Sequence, residues 1–382
     1  MAKLKIIHFI PLLALLILSS VVSEGYAQST GAYNIGIYQS GYSIEDVVAG
    51  TNNVYIAQAG ATNALEILDL PNPNSPSLVG SGERSSSDQA HCVDINDDES
   101  IAVIGASNNV YVFNISTKTD PIRTDVINVG STVYDIEIFG DLVYCAAYST
   151  GIPVINISDV NNPGLIYDGK YTGYNDNYLQ GIYVDPDRDY IYGAAGAKAL
   201  IFPLNTSKIP QIPVSVDLDY TAWSVEKISN NLLVAGDSHG FIYTIDISNL
   251  NSPSRLGSVD LGSILYGLYY DSTLGTKIMA ADYSTGLKIA DFSSQSNPIF
   301  LGRMATTTTG VTGYGTDRMG NYMLLAGGAW GLFVYNVSDC LSIGGGGGFE
   351  INGFPILILL GMISIISYVS AKRKMNTKSK DD

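Results

Sequence analysis

Charged residues are scarce in this chain of 382 residues. Asp, Glu, Lys and Arg together make up 15% of it, and long amphipathic stretches rich in Lys and Glu are missing. Their absence argues against a helical protein. The chain is instead rich in residues of short strands and tight turns, with 40 Gly, 26 Tyr and 14 Pro. Composition therefore predicts an all-β protein.

Basic residues and cysteines are also few. Between Gln28 and Glu350 there are 13 Lys and Arg against 33 Asp and Glu, a net charge of 13 − 33 = −20. This balance disfavours nucleic acid and anionic membrane surfaces as partners. Three cysteines do not make a disulfide framework, and the chain has no zinc-ligand spacing, P-loop or nucleophile elbow. We expect no cofactor and no nucleic-acid partner.

Both ends of the chain differ from its middle. Residues 1–27 combine a basic start, an apolar run and small residues before Gln28, which is typical of a secretory signal peptide; an uncleaved anchor is the alternative. Near the other end, a glycine-rich linker at 341–353 precedes an apolar stretch at 354–371 that is long enough to cross a bilayer. The basic tail at 372–382 is expected to stay in the cytoplasm. We predict a single-pass protein whose main domain lies at the cell surface.

A repeat runs through residues 28–340. The segment NPNSPSLVGS begins at Asn72, and the near copy NLNSPSRLGS begins at Asn249. Seven related segments start at 64, 110, 152, 200, 241, 287 and 332, with spacings of 41 to 48 residues. Each period holds four short strands, which is the unit of a β-propeller blade. The last blade lacks a fourth strand, and residues 32–41 at the start of the domain are expected to supply it. We predict a seven-bladed β-propeller of four-stranded antiparallel blades.

An Asp or Asn ends the third strand of every blade. A short side-chain carbonyl at this position can accept a backbone N–H two residues later and close the blade corner. The seven corner residues are Asp69, Asn114, Asn156, Asn205, Asp246, Asp291 and Asn336. The four asparagines are also N-glycosylation sequons, and glycosylation at Asn114, Asn156, Asn205 and Asn336 is the second use that we consider for them. Since Asp fills the same position in three blades, a role in the turn explains all seven.

These repeats resemble a known family. The segments ALEILDLPNPNSPSLVGS, from Ala64, and FIYTIDISNLNSPSRLGS, from Phe241, look like LVIVD repeats. The resemblance covers residues 32 to 340 and implies a propeller on the surface of a bacterium or archaeon, with no established activity. The C-terminus is similar to prokaryotic sorting signals, but Asn352-Gly353-Phe354 stands where archaeal versions have Pro-Gly-Phe. This departure favours simple membrane anchoring over enzymatic processing.

Acidic turns are weak candidates for a metal site. Asp185, Asp187 and Asp189 alternate in the segment DPDRD, as ligands do in calcium loops. An EF-hand-like loop would need Gly at its sixth position, where this chain has Tyr190. The segment lies between two strands, so we interpret it as a hairpin turn and predict no metal.

Aromatic and histidine residues gather on one face of the predicted propeller, where the fourth-to-first and second-to-third connections lie. This group has eight members: Trp223, Trp330, His91, His239, Tyr134, Tyr148, Tyr266 and Tyr283. Exposed aromatic rings around a channel mouth suit the binding of sugars or peptides. The alternative is that inner-strand aromatics pack between blades.

Binding is the function that the sequence favours. We predict an interaction or scaffold module for an extracellular protein or glycan, attached to the membrane by its C-terminal helix. The alternative is an extracellular enzyme, a lyase or a hydrolase, with its site at the central mouth. Glu45 and His91, in adjacent blades, are the candidate residues for such a site.

Overall fold

The computed structural model describes residues 29–60, 62–83, 88–169, 178–305 and 310–338, with the backbone alone at 29–33 and 305. The chain divides into two units after residue 342, and every described residue belongs to the first. The predicted signal peptide, linker, membrane helix and basic tail therefore lie outside the described residues. In the described part of the chain, no helix is long and apolar enough to cross a membrane.

The described chain is a succession of short strands. The opening strand is β1 (Ser29–Tyr38). Blade one consists of β2 (Ser43–Ala49), β3 (Asn53–Ala59), β4 (Asn63–Asp69) and β5 (Ser77–Glu83). Blade two consists of β6 (Ala90–Ile95), β7 (Ile101–Ala106), β8 (Asn109–Asn114) and β9 (Ile122–Asn128). Blade three consists of β10 (Asp135–Phe139), β11 (Leu142–Ala146), β12 (Ile152–Asn156) and β13 (Gly164–Gly169). Blade four consists of β14 (Leu179–Asp185), β15 (Tyr190–Ala195), β16 (Lys198–Pro203) and β17 (Val214–Asp217).

The second half of the chain continues this pattern. Blade five consists of β18 (Ala222–Ser229), β19 (Leu232–Asp237), β20 (Phe241–Asp246) and β21 (Ser254–Asp260). Blade six consists of β22 (Leu265–Tyr269), β23 (Lys277–Asp282), β24 (Gly286–Asp291) and β25 (Ile299–Ala305), with a short 3-10 helix (Ser272–Leu274) after β22. Blade seven consists of β26 (Thr316–Met319), β27 (Tyr322–Ala326), β28 (Leu332–Asn336) and the opening strand β1. The predicted seven-bladed propeller with four-stranded antiparallel blades is confirmed.

The blades form a closed ring. The first strand of each blade lies innermost, and it contacts the first strand of the next blade; β26 of blade seven contacts β2 of blade one. Seven hydrophobic clusters fill the spaces between neighbouring blades, one for each pair. In the cluster between blades seven and one, Ile44 and Val54 pack with Leu324 and Val334, all fully buried. Burial of apolar area between blades therefore stabilises the ring all the way round.

Strand β1 joins the two ends of the ring. It lies slightly upstream of the predicted closing strand at 32–41 and pairs antiparallel with β28, from Asn34 opposite Tyr335 to Tyr38 opposite Leu332. Its first part also pairs in parallel with β25 of blade six. Blades six and seven are thus joined in one eight-stranded sheet. The sequence did not predict this second pairing, because parallel pairing of the chain start with a neighbouring blade lies outside the repeat pattern.

The blade corners are built as side-chain turns. In six of them the corner Asp or Asn oxygen accepts the N–H two residues later, at 2.8 to 3.0 Å: Asn114, Asn156, Asn205, Asp246, Asp291 and Asn336. The corner after Asp69 differs, because Pro71 has no N–H to donate. There Asn72 Oδ1 accepts from the N–H of Asn74 at 3.1 Å. Glycosylation of the four sequon asparagines stays a prediction.

In some blades a glycine in the fourth strand allows the corner of the next blade to approach closely. A Cβ atom on Gly80 of β5 would lie 2.1 Å from the carbonyl oxygen of Lys118, in the corner of blade two. One on Gly257 of β21 would lie 2.6 Å from the carbonyl oxygen of Ser296, in the corner of blade six. Both distances are too short for any side chain. This contact explains why the corner and the glycine occur together in the segments NPNSPSLVGS and NLNSPSRLGS.

Candidate functional site

A cavity of about 640 Å³ runs along the axis of the ring and is lined by the inner strands. At its entrance each blade contributes one residue from the start of its inner strand. We call these seven residues the channel lip: Glu45, His91, Tyr134, Gln180, Trp223, Tyr266 and Tyr314. The lip is the place where all seven repeats converge on a common space, so it is the candidate binding site.

Bulges in the inner strands direct most of these side chains into the channel. In five blades the strand register shifts across the lip residue, so that residue is the extra one of a β-bulge: Glu45, His91, Gln180, Trp223 and Tyr266. A bulge re-aims a side chain that regular alternation would send elsewhere. The two remaining residues, Tyr134 and Tyr314, stand just before β10 and β26.

Aromatic rings form a connected network along the lip. Tyr134 meets Trp223 edge to face, with ring centroids 5.8 Å apart, and Trp223 meets Tyr266 in the same way at 4.7 Å. Tyr266 stacks on Tyr314 at 5.3 Å, and His91 lies 5.5 Å from Tyr134. These lip rings remain partly exposed. The network fixes their orientation while leaving ring surface open to the channel.

Two further tyrosines flank the lip. Tyr148 contacts Tyr134 with centroids 5.7 Å apart, and Tyr283, 39% exposed, contacts Tyr266 at 5.6 Å. The structure therefore brings together six of the eight aromatic and histidine residues expected on this face. Gln180 and Tyr314 were not among the residues expected from sequence. Alignment of the starts of the seven inner strands is the signal that identifies them.

Trp330 and His239 lie apart from the channel. Trp330 is 42% exposed in the hairpin between β27 and β28, and paired backbone hydrogen bonds between Gly328 and Ile44 place that hairpin beside the start of β2. His239 stacks on Tyr220 with centroids 3.8 Å apart. Neither Trp330 nor His239 lines the cavity. The two residues expected near the channel thus belong to the periphery of this face, because they sit in hairpins between second and third strands and not on the inner strands.

Glu45 and His91 form a hydrogen-bonding contact across blades one and two. The Oε2 atom of Glu45 lies 3.0 Å from Nδ1 of His91, and both side chains are partly exposed at the lip. The two residues that the sequence offered as candidates for acid–base chemistry are therefore neighbours in space. This contact orients the imidazole of His91 at the lip.

Six acidic residues lie deeper in the channel, on the inner strands. These channel carboxyls are Asp46, Asp94, Asp135, Glu137, Glu226 and Asp317. Several of them accept a hydrogen bond from the inner strand of the next blade. Asp46 accepts from the N–H of Val93 at 3.0 Å. Asp94 accepts from Ile138 at 2.6 Å, Asp135 from Ile182 at 2.8 Å, Glu137 from Val184 at 2.5 Å and Asp317 from Ala49 at 2.7 Å. They connect neighbouring blades as well as lining the channel.

The channel carboxyls are hard to ionise. Burial raises the pKa of Asp94 and of Asp135 to about 7 and that of Asp317 to about 6, although the backbone N–H groups that each carboxylate accepts oppose the rise. Burial likewise raises the pKa values of Asp46, Glu137 and Glu226, and the charge of Asp135 raises all three further. The sequence does not predict this group, because single acidic residues in separate strands do not indicate that their side chains line one cavity.

The acidic turn DPDRD is occupied by cations of the chain itself. Lys227 Nζ lies 2.5 Å from Asp185 Oδ1 and 3.0 Å from Asp187 Oδ2, while Arg188 Nε lies 3.1 Å from Asp185 Oδ2. Lys208 pairs with Asp189. Among the residues that the structure describes, no group of three or more His, Cys, Asp or Glu side chains is placed to hold a metal ion. Cys92 and Cys145 are buried and unbridged.

Comparison with known proteins supports the fold. The model of the LVIVD repeat matches residues 42–83, 221–261 and 280–306, which fall in blades one, five and six. The WD40 β-propeller domain of Doa1 superposes with a TM-score of 0.62 at 10% identity, covering 82% of this chain and 100% of that one. A chain of the mitotic checkpoint complex superposes with a TM-score of 0.62 at 17% identity, covering 81% of this chain and 95% of that one. A search of the curated proteins found no match.

The structural matches and the repeat matches support different conclusions. Identities of 10% and 17% show a shared propeller architecture and nothing about ligands. The LVIVD matches identify the repeat type in three blades, as the sequence resemblance implied. The chain is thus a β-propeller with LVIVD repeats, a fold that suits an interaction or scaffold role.

Proposed function

We propose that the protein is a cell-surface binding module that captures an extracellular protein or glycan at the channel lip. The observation that carries this proposal is the lip itself. Seven blades each place one polar or aromatic side chain around one opening, and Tyr134, Trp223 and Tyr266 keep part of their surface exposed there. Aromatic side chains are the usual anchors of protein and carbohydrate recognition.

Interblade packing does not account for these aromatic residues. The seven clusters that hold the blades together are made of other side chains; of the described residues, Tyr134, Trp223 and Tyr266 belong to none of them. Tyr314 is the lip aromatic that does pack against a cluster, between blades seven and one. The rings of Tyr134, Trp223 and Tyr266 are already oriented by their mutual contacts, so these side chains would lose little conformational freedom when a ligand binds.

The cell-surface location is supported by the two ends of the sequence. The signal-like segment at 1–27 and the apolar stretch at 354–371 with its basic flank favour an exported domain on a membrane stalk. In this arrangement the propeller faces the outside, and the acidic surface of the domain remains soluble there.

Truncation after Cys340 tests location and binding together. The shortened protein is expected in the medium, and when immobilised it is expected to retain a partner from cell-surface extract or a member of a glycan array. The same protein with Trp223→Ala serves as the control and should retain about tenfold less. A truncated protein that stays with the membrane contradicts the proposed anchor. Equal retention by both proteins contradicts recognition at the lip.

An extracellular lyase or hydrolase is the second candidate function. The Glu45–His91 contact of 3.0 Å favours it, because a carboxylate that orients an imidazole is a common arrangement for proton transfer. The fate of a captured ligand separates the two candidates. Recovery of the ligand unchanged after long incubation supports a binding module. Cleavage that His91→Ala abolishes, while capture persists, would instead assign an enzyme.

A further inference from the structure

We propose that the channel accepts an organic cation that carries N–H groups, namely a primary ammonium or a guanidinium at the end of a slender chain. The inference rests on the proposed function and names the chemistry of the ligand at the same site. It is drawn from three independent features of the channel: a lining of carboxyls without basic partners, an unpartnered buried acceptor and an open aromatic rim.

The first feature is the charge of the lining. Glu45 and the six channel carboxyls face the cavity, and none of the described residues that line it is a lysine or an arginine. Basic residues on the same inner strands turn away from the channel. Lys227, next to Glu226, binds Asp185 and Asp187. Arg318, next to Asp317, binds Asp271 at 2.5 Å. The chain thus supplies no countercharge inside the channel, and a ligand of positive charge would do so.

The second feature is Gln180, the lip residue of blade four. Its side chain is only 7% exposed, it lines the cavity, and its Oε1 atom has no hydrogen-bond partner. A buried acceptor without a donor is costly, so a ligand that brings an N–H gains the energy of satisfying it. Ammonium and guanidinium groups are donors without acceptors. A quaternary ammonium has no N–H to offer Gln180 and fits this feature less well.

The third feature is the aromatic rim above the carboxyls. A cation attracted to a ring face gains electrostatic energy, and the apolar stem behind it gains contact area with the same rings. Tyr134, Trp223 and Tyr266 supply such faces at the entrance. A cavity of about 640 Å³ admits a side chain or a linear amine rather than a folded domain. A lysine or arginine side chain of a partner polypeptide and a free polyamine are the two sources of this chemistry.

Protonation of the channel gives the binding a defined pH dependence. The groups facing the ligand are Glu45, His91, the channel carboxyls and the tyrosines Tyr134, Tyr266, Tyr269 and Tyr314. Since the pKa values of Asp94 and Asp135 are about 7, these carboxyls hold protons below neutral pH and lose them above it. A cation favours the ionised forms, so its binding should release protons and tighten as pH rises from 5 to 8.

Calorimetric titration of the full-length protein at constant ionic strength tests the inference. The probes are spermidine, the peptide Gly-Gly-Lys-Gly-Gly amide, and the same peptide with an acetylated lysine. We expect saturable binding of spermidine or the lysine peptide, and binding of the acetylated peptide at least about tenfold weaker, because acetylation removes the charge. Affinity for the charged probe should rise from pH 5 to pH 8. The better of the two charged probes indicates whether the source is a polyamine or a polypeptide.

Two variants tie the binding to the channel. Gln180→Leu removes the unpartnered acceptor, and Glu226→Gln removes one carboxyl that could ionise beside a bound cation, at nearly constant shape. Each variant should weaken binding of the charged probe by about fivefold or more. The exposed Asp141→Asn is the matched control and should bind like the unchanged protein. If both charged probes fail to bind, or bind no better than the acetylated peptide, the cation inference is wrong. Retention of a neutral glycan that depends on Trp223 would then leave the proposed function standing. Equal retention of the glycan by the unchanged protein and by Trp223→Ala would contradict the proposed function as well as the cation inference.

Discussion

The propeller is expected to melt at a lower temperature at pH 8 than at pH 5, by about 5 °C or more. The cause is the set of channel carboxyls, whose folded-state pKa values lie above those of an unfolded chain. Burial raises the pKa to about 7 for Asp94 and Asp135 and to about 6 for Asp317. In this pH range the folded protein therefore binds more protons than the unfolded chain, and its stability falls as pH rises through those values.

Carboxyls whose pKa values are lowered by folding do not change the stability between pH 5 and pH 8. Hydrogen bonds from Ser100 and Ser248 lower the pKa values of Asp98 and Asp246 below an ordinary value near 4. Their contribution to stability is complete above pH 5 and is lost only in stronger acid. A decline between pH 5 and pH 8 accordingly reports on the channel carboxyls, and a variant at one of them tests this assignment.

Asp135→Asn should raise the melting temperature at pH 8 and reduce the difference between pH 5 and pH 8. The amide can still accept the N–H of Ile182, which Asp135 accepts at 2.8 Å, but it adds no charge to the channel. Asp141→Asn, on an exposed residue, is the control and should leave the pH profile unchanged. Equal loss of stability by Asp135→Asn at both pH values would show that its charge is not what destabilises the folded channel at pH 8.

Removal of strand β1 is expected to have the largest effect on folding. A protein that begins at Gln39 leaves unpaired edges on both β28 and β25, because β1 pairs with each of them. Exposed strand edges favour aggregation. The closing strand also carries contacts to blade one: Tyr38 OH donates to Glu66 Oε2 at 2.9 Å, and a Cβ on Gly36 would lie 2.0 Å from the carbonyl oxygen of Pro73. We expect aggregation or a fall of about 10 °C or more in melting temperature.

Gly36→Val provides a graded version of the same test. The added side chain would collide with the corner of blade one while leaving the strand present, so it should lower the melting temperature less than removal does. Gly41→Ala is the control, because it also replaces a glycine near β1 but its added Cβ would meet no atom within 4 Å. Gly41 has a positive φ, so placing alanine there costs some stability without a collision. Unchanged melting of the shortened protein would mean that β1 does not hold the ring closed.

Much of the fold follows from the sequence, because the repeat is explicit. The seven corner residues recur at nearly constant spacing, at the end of a third strand or just after it, and in six of them the side-chain oxygen closes the turn. Once the period is known, the strands before and after each corner are placed by hydrophobic pattern. The parallel pairing of β1 with β25 does not follow, since it depends on the position of one blade beside another.

The site follows from the sequence only in part. Topology indicates which hairpins and strand starts share a face, and His91, Tyr134, Trp223 and Tyr266 do meet there. It does not give the distance of a residue from the axis, so Trp330 and His239 were expected closer to the channel than they are. The channel carboxyls were missed for a related reason. Bulges shift the alternation within the inner strands, and acids in segments such as SIEDVVAG and TVYDIEIFG converge only when the ring closes.

Ligand binding at the channel lip can be measured directly by the fluorescence of the chain's own tryptophans. Trp223 and Trp330 are its two tryptophans, one at the lip and one at the periphery of the same face. Trp330→Phe leaves Trp223 as the single fluorophore, and Trp223→Phe leaves Trp330. On titration with a captured partner, emission should change saturably in the Trp330→Phe protein and stay constant in the Trp223→Phe protein. A saturable change confined to the protein that retains Trp330 would contradict binding at the lip.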